Sequence, residues 1–209
     1  LKIISVVICI LLFSLSIQAQ STDPKLTKEE REYLIKTLLD SQKETLTMVE
    51  NLTDEQWNFK PSLMKWSVGQ CVEHIALSEG LLFSVSQQAL AAPANPDWQI
   101  KTANKGRLME GALAGRMGRA QAPEPIQPIK RAMSRIEIMK LLKEGRENTL
   151  KFARETTADL KSHTLEHPFP VFGTLNAYQW VLYIPMHNLR HNKQIVEVKA
   201  HANFPKATQ

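Results

Sequence analysis

Four long stretches in which apolar residues recur every three or four positions constrain this chain more than any other feature, because such stripes can be buried only against one another. The first runs from about Thr27 to Leu52, with Leu34, Leu38, Thr45, Val49 and Leu52 on one face, and Thr27 with Glu30 has the spacing of a capping box at its start. The second runs from about Ser67 to Leu90 through Val68, Cys71, Val72, Ile75, Leu82 and Val85, capped by Ser67 with Gln70. The third runs from about Ser134 to Thr157 through Ile138, Leu141, Leu142 and Phe152, capped by Ser134 with Glu137, and the fourth from about Leu175 to His201 behind Thr174 as its N-cap. Each spans roughly 24 to 27 residues, about 36–40 Å at 1.5 Å per residue, and four stripes of similar length predict an all-α four-helix bundle. Almost nothing in the chain alternates with period two.

The connections are unequal. Thr53 to Trp66 is short and carries a further capping signature at Thr53 and Gln56, which predicts one helical turn. Ala91 to Met133 is a long, Pro-containing connection between helices 2 and 3 that could cross the bundle, with a short surface helix within Lys105 to Arg119. At the other end, Lys2 precedes an almost unbroken apolar run from Ile3 to Leu15, with Ala19 ahead of a polar stretch. Residues 1–19 are expected to be a cleaved secretory signal peptide, short for a membrane span, with an uncleaved N-terminal anchor as the alternative; residues 20–209 are then a single domain exported to the periplasm or beyond. Of the two cysteines, Cys9 would be lost with the signal, so the remaining Cys71 has no internal disulfide partner and is expected in the core.

The net charge of +5 invites a nucleic-acid reading until it is placed along the chain. Residues 20–100 carry 7 basic and 12 acidic groups, residues 101–161 carry 14 and 7, and residues 162–209 carry 4 and 2. The excess therefore sits in one segment, and residues 99–151 contain no aromatic side chain on which bases could stack. A solvated basic face, with no nucleic-acid partner, is the expectation.

Six histidines carry the chemical information. His187 and His191 are four apart in the fourth helix, on the stripe Trp180, Ile184, His187, His191, Ile195 and Val198, so both imidazoles face the core. Polar rings so placed need partners: either hydrogen bonds within the core or a shared metal ion. His74 has the same character in the second helix, beside Cys71 and Ile75, and can reach the fourth helix if the two pack together. Three neutral imidazoles would leave a divalent ion with open positions, the arrangement of a catalytic site. His163 and His167 are also four apart, but His167 precedes Pro168 and is biased out of helical geometry, so this pair is expected in a loop with a structural or exposed role. His201 falls at the frayed end of the last helix.

The segment Trp66-Ser67-Val68-Gly69-Gln70-Cys71-Val72-Glu73-His74-Ile75-Ala76 resembles the first signature of the DinB/YfiT-like superfamily, and His187-Asn188-Leu189-Arg190-His191-Asn192-Lys193-Gln194-Ile195 resembles its second. The stretch from His167-Pro168 to Phe172-Gly173-Thr174, and Tyr178-Gln179-Trp180 after it, are similar to members of the same group, so the likeness spans residues 27 to 200. It implies an up-down-down-up four-helix bundle in which His74, His187 and His191 hold one divalent metal, zinc or nickel. It implies further that the protein is a thiol-dependent transferase or a metal-dependent hydrolase acting on a small molecule, with homodimers common.

On that basis the open position of the metal would activate a water or a thiol. Glu79 is the nearest acidic candidate for an orienting or proton-accepting role, Arg190 and Gln194 for substrate binding or for hydrogen bonds behind the ligands, and Trp66, Trp180 and Tyr183 for the pocket wall or the core. The alternative is a non-catalytic protein whose metal pins two helices. The Pro-rich segment 91–133 stands where it could cover or reshape the pocket mouth.

Overall fold

The computed structural model describes residues 23–115, 121–128 and 133–206. The expected signal segment 1–19 and residues 116–119 of the surface helix lie outside the described residues. The four long helices are α1 (Lys28–Val49), α3 (Val68–Ala91), α6 (Arg135–Glu155) and α7 (Ala177–Lys199), with α2 (Asp54–Asn58) in the first connection and α4 (Trp98–Lys101) and α5 (Lys105–Met109) in the second. Capping boxes form at Thr27–Glu30, Thr53–Gln56, Ser67–Gln70 and Ser134–Glu137, each satisfying otherwise orphaned N–H groups at the position the sequence marks.

The start of α7 departs from expectation. Its N-cap is Asn176, boxed with Gln179, rather than Thr174. Thr174 instead belongs to β2 (Thr174–Asn176), which pairs antiparallel with β1 (Thr164–Glu166) in a small hairpin. The hairpin turns back at Gly173, whose φ of +57° suits a residue without a Cβ, and the Gly173 carbonyl accepts the His167 amide at 2.8 Å. The second connection provides α5, which runs on into a π-helical turn at Glu110–Ala114, and a 3₁₀ turn at Glu124–Ile126.

Pairs of bonded residues give the direction of each helix. Arg31 at the start of α1 donates to the carbonyls of Ala153 and Thr156 at the end of α6, and Arg135 at the start of α6 donates to those of Val49 and Leu52 at the end of α1. The two helices are therefore antiparallel, and each guanidinium satisfies the orphan carbonyls of the other helix. Glu79 with Arg146 and Phe83 with Phe152 make α3 and α6 parallel. Thr45 with Asn188 and Met48 with Lys199 make α1 and α7 parallel. The order is thus up-down-down-up, in the ring α1, α7, α3, α6.

The apolar core is divided in two. One part gathers Leu34, Leu38, Leu150, Leu175 and Val181 with Met109 and Leu113 of the second connection, and the other gathers Val49, Trp57, Val72, Ile75, Leu142 and Ile195. Cys71 is buried in the second part. At the level of Ser41, Thr45, Glu79, Arg146, Asn188 and Asn192 the interior holds a hydrogen-bonded polar layer. Among the described residues no helix is long and apolar enough to cross a membrane.

Candidate metal centre

His187 and His191 project from one face of α7, one turn apart, toward His74 on the antiparallel α3. The ring centroids stand 5.0 Å (His74–His187), 4.4 Å (His74–His191) and 4.5 Å (His187–His191) apart, and one nitrogen from each ring lies within 4.8 Å of the other two. Two nitrogens bound to one tetrahedral zinc at about 2.0–2.1 Å stand about 3.3 Å from each other. The Nε2 atoms of His187 and His191 are 3.2 Å apart.

Groups behind the rings orient them. His74 Nδ1 lies 2.7 Å from the carbonyl oxygen of Ile126, and His191 Nδ1 lies 2.9 Å from Gln194 Oε1. Each oxygen accepts the Nδ1 proton, so each ring turns an unprotonated Nε2 toward the cluster, that of His74 also lying 3.4 Å from the Ser78 hydroxyl. Two imidazole Nε2 atoms 3.2 Å apart call for a cation or a proton between them, and the donor set suits a metal that prefers imidazole. Burial pushes the His74 pKa down to about 4. His187 is held well below the usual value by burial first and then by His191, His74 and Arg190 nearby. Both are therefore neutral at pH 7, as ligation requires.

The three rings form part of the wall of a cavity of about 1050 Å³. Trp66 covers them on one side, its ring 4.8 Å from His74 and 5.9 Å from His191, and Tyr183 stacks along α7 at 6.2 Å from His187. The second connection closes the other side with Arg107, Leu108, Leu113 and Ile126, so the segment 91–133 does shape the pocket mouth. It also supplies the carbonyl that orients His74, a contribution without a signal in the sequence because any residue has a carbonyl.

The remaining candidates separate. Gln194 sits behind His191, and Arg190 lines the cavity while donating to the Ala112 carbonyl at 3.3 Å. Glu79 is a correction: it does not line the cavity but accepts Nε and Nη2 of Arg146 at 2.7 and 3.0 Å in the buried polar layer, with no carboxylate face left for substrate. Trp180 is core, stacked on His167, whereas Trp66 and Tyr183 are cavity wall. His167 is buried in the cluster formed by Trp180, Tyr183 and Phe172, where its Nδ1 accepts the Phe169 amide, and His163 bonds to the Ala92 carbonyl. His201 packs against Phe59 beyond the end of α7.

An up-down-down-up bundle with three imidazoles converging on the wall of a large cavity defines a class of protein with the makings of a metal site between two antiparallel helices. Within that class the chain belongs to the DinB superfamily, whose pattern it matches over residues 37–195. It is 27% identical over 158 residues to the uncharacterized protein YuaE of Bacillus subtilis (strain 168), covering 75% of this chain and 91% of YuaE. It is also similar to the solved structure of Bacillus subtilis YfiT, described as a probable metal-dependent hydrolase with an unusual four-helix bundle topology. That likeness has a TM-score of 0.57 at 18% identity, covers 86% of this chain and 91% of YfiT, and speaks for the fold.

Proposed function

We propose that the protein is a metal-dependent enzyme in which His74, His187 and His191 bind one divalent ion, zinc or nickel, and in which the reaction is a hydrolysis or a thiol transfer on a small molecule. The observation that carries this reading is the convergence of three imidazoles on one cavity wall, with His74 and His191 oriented from behind. When bound, the ion supplies Lewis acidity and a lowered pKa for a water or thiol near neutral pH. The chain's own residues do the rest. Ile126 and Gln194 hold the ligand tautomers, Trp66 and the segment around Leu108 to Leu113 shield the site from bulk water, and Arg190 points a cation into the space the substrate would fill.

What favours catalysis over a helix-pinning metal is the open side. Among the described residues the cluster contains three ligand groups, and all three line the cavity instead of being sealed beneath it. YfiT's description as a probable metal-dependent hydrolase points the same way. The test is a screen of zinc-loaded and nickel-loaded protein against ester, amide and thiol-conjugation substrates, with His187→Ala as the control. Turnover that requires both the metal and His187 is expected, and turnover equal in the two proteins would refute the reading.

A further inference from the structure

Apart from the histidines, the polar side chains on the cavity wall are mostly exposed or already engaged. Lys65 and Gln121 are exposed, Arg107 donates to Asn104 Oδ1 and Arg190 to the Ala112 carbonyl, and Gln194 Oε1 is taken up by His191. Tyr183 is neither. It lines the cavity and is 5% exposed, and its hydroxyl has no hydrogen-bond partner among the described residues. Nor is that hydroxyl sealed in, unlike the indole nitrogen of Trp180 on the same helix, which is buried without a partner. The surface left to the Tyr183 O–H therefore faces the cavity. A buried hydroxyl without a partner is costly, so this one suits an acceptor that arrives with a ligand.

The ring that carries the hydroxyl is fixed. His167 stacks on it at 5.2 Å between centroids, Phe172 meets it edge-on at 5.4 Å and Trp180 lies at 5.9 Å. His167 is itself held by the Phe169 amide, which donates to its Nδ1. Tyr183 cannot swing away to find a partner elsewhere, and a donor held in place binds without reorganising. Along α7, Tyr183, His187 and His191 follow one another at steps of four, so the phenol and the two imidazoles open into the same cavity. A phenol ordinarily titrates near about pH 10, so at neutral pH this group is an O–H donor. Leu108, Leu113 and Phe172 make the neighbouring wall apolar, where a hydrogen bond is stronger than in water.

We propose that Tyr183 is a substrate-binding and specificity-determining residue: its hydroxyl donates a hydrogen bond to a carbonyl oxygen of the ligand, and so selects carbonyl compounds, esters and amides among them, over molecules of the same shape that lack the oxygen. A site with a buried donor rejects the analogue without an acceptor because the donor then stays unpaired. A ring needed only as wall would require no hydroxyl, and phenylalanine would serve. This deepens the metal-dependent reading and rests on it for calling the carbonyl compound a substrate.

The experiment is calorimetric titration of the chelator-treated full chain with acetophenone and with ethylbenzene, which has the same shape without the oxygen, for wild type and Tyr183→Phe. Comparing the two probes across the two proteins cancels their different hydration. Tyr183→Phe is expected to weaken acetophenone about three- to tenfold and to leave ethylbenzene unchanged. Loss of both probes alike, no loss of either, or no binding of acetophenone to wild type overturns the proposal. The infrared carbonyl stretch of bound acetophenone, isotope-labelled at that carbon, is a second readout. It should lie below its frequency in hexane in wild type and return toward that value in Tyr183→Phe. If the variant fails to fold, wild type alone decides: a lowered frequency supports the proposal and a hexane-like one overturns it. A shift that persists in folded Tyr183→Phe also overturns it. Zinc titration of the same samples reads the metal separately. Absence of stoichiometric zinc would remove the metal reading and leave the carbonyl preference standing, whereas zinc binding without that preference would remove this proposal alone.

Discussion

Arg146 and Glu79 meet arm to arm in the interior, Nε to Oε1 at 2.7 Å and Nη2 to Oε2 at 3.0 Å, and neither side chain is more than 2% exposed. Through the same guanidinium, α6 also reaches the Leu38 carbonyl and Ser41 of α1 and Asn188 of α7, so one residue ties all four helices at the level of the polar layer. Asn188 follows His187 directly in the chain, so the knot holds the turn of α7 that carries the cluster.

Removing one partner of this pair leaves a buried charge uncompensated. Glu79→Ala is expected to lower the unfolding free energy by about 3–5 kcal/mol, read from urea denaturation. Folded Glu79→Ala at low temperature should still bind zinc, because Glu79 does not line the cavity. A variant of unchanged stability that had lost only activity would return Glu79 to a catalytic role.

Gln194 would act on a bound metal through His191. Gln194→Ala removes the acceptor for the Nδ1 proton and should weaken zinc binding about 10- to 100-fold, while Gln194→Glu, which keeps an acceptor there, should not. Competition with a chelating dye measures both, and equal affinities for wild type and Gln194→Ala would show that the ring is oriented by something else.

Gly69 is required by a close approach. A Cβ built on it would stand 2.3 Å from Nε1 of Trp57, a buried ring that the Arg135 guanidinium covers at 4.7 Å. An alanine within a helix ordinarily gains up to about 1 kcal/mol over glycine, but overpacking costs about 1–3 kcal/mol and should win here. Gly69→Ala is therefore expected to melt lower than wild type. A higher melting temperature would mean that Trp57 can move aside.

His167 gives the metal-free protein a pH-dependent stability. Burial pushes its pKa down to about 4, as it does for His74, so between pH 6.5 and 4 the unfolded chain binds protons that the folded chain does not. Stability from this source is full above about pH 6.5 and is lost as pH falls toward 4. His167→Phe, which keeps an aromatic ring against Trp180, should show a shallower decline over that window, by up to one proton's worth of slope, in denaturation curves at pH 7, 5.5 and 4.5. Identical slopes would mean that the buried ring takes up a proton without penalty.

The bundle was legible because its helices announce themselves locally: a Thr or Ser three residues before Glu or Gln, then a three- and four-residue apolar step, at Thr27, Thr53, Ser67 and Ser134. Thr174 misled because the same kind of residue opens a three-residue strand, too short for a period-two pattern to register, and the true cap Asn176 lies two residues on. The His187–His191 pair was visible as two polar rings on an apolar stripe. The partnership of Glu79 was not, since Arg146 lies 67 residues away in a segment whose basic residues read as solvated. Nor could sequence place Ile126 behind His74, as a carbonyl carries no side-chain signature.

If His74, His187 and His191 hold one divalent ion, the metal content of the protein depends on His187. Elemental analysis of purified wild type and His187→Ala, with circular dichroism to show that both are folded, tests it most directly. The expected result is about one zinc or nickel ion per wild-type chain and less than about a tenth of that in the variant. Full metal retention by folded His187→Ala would mean that the three histidines are not the ligands.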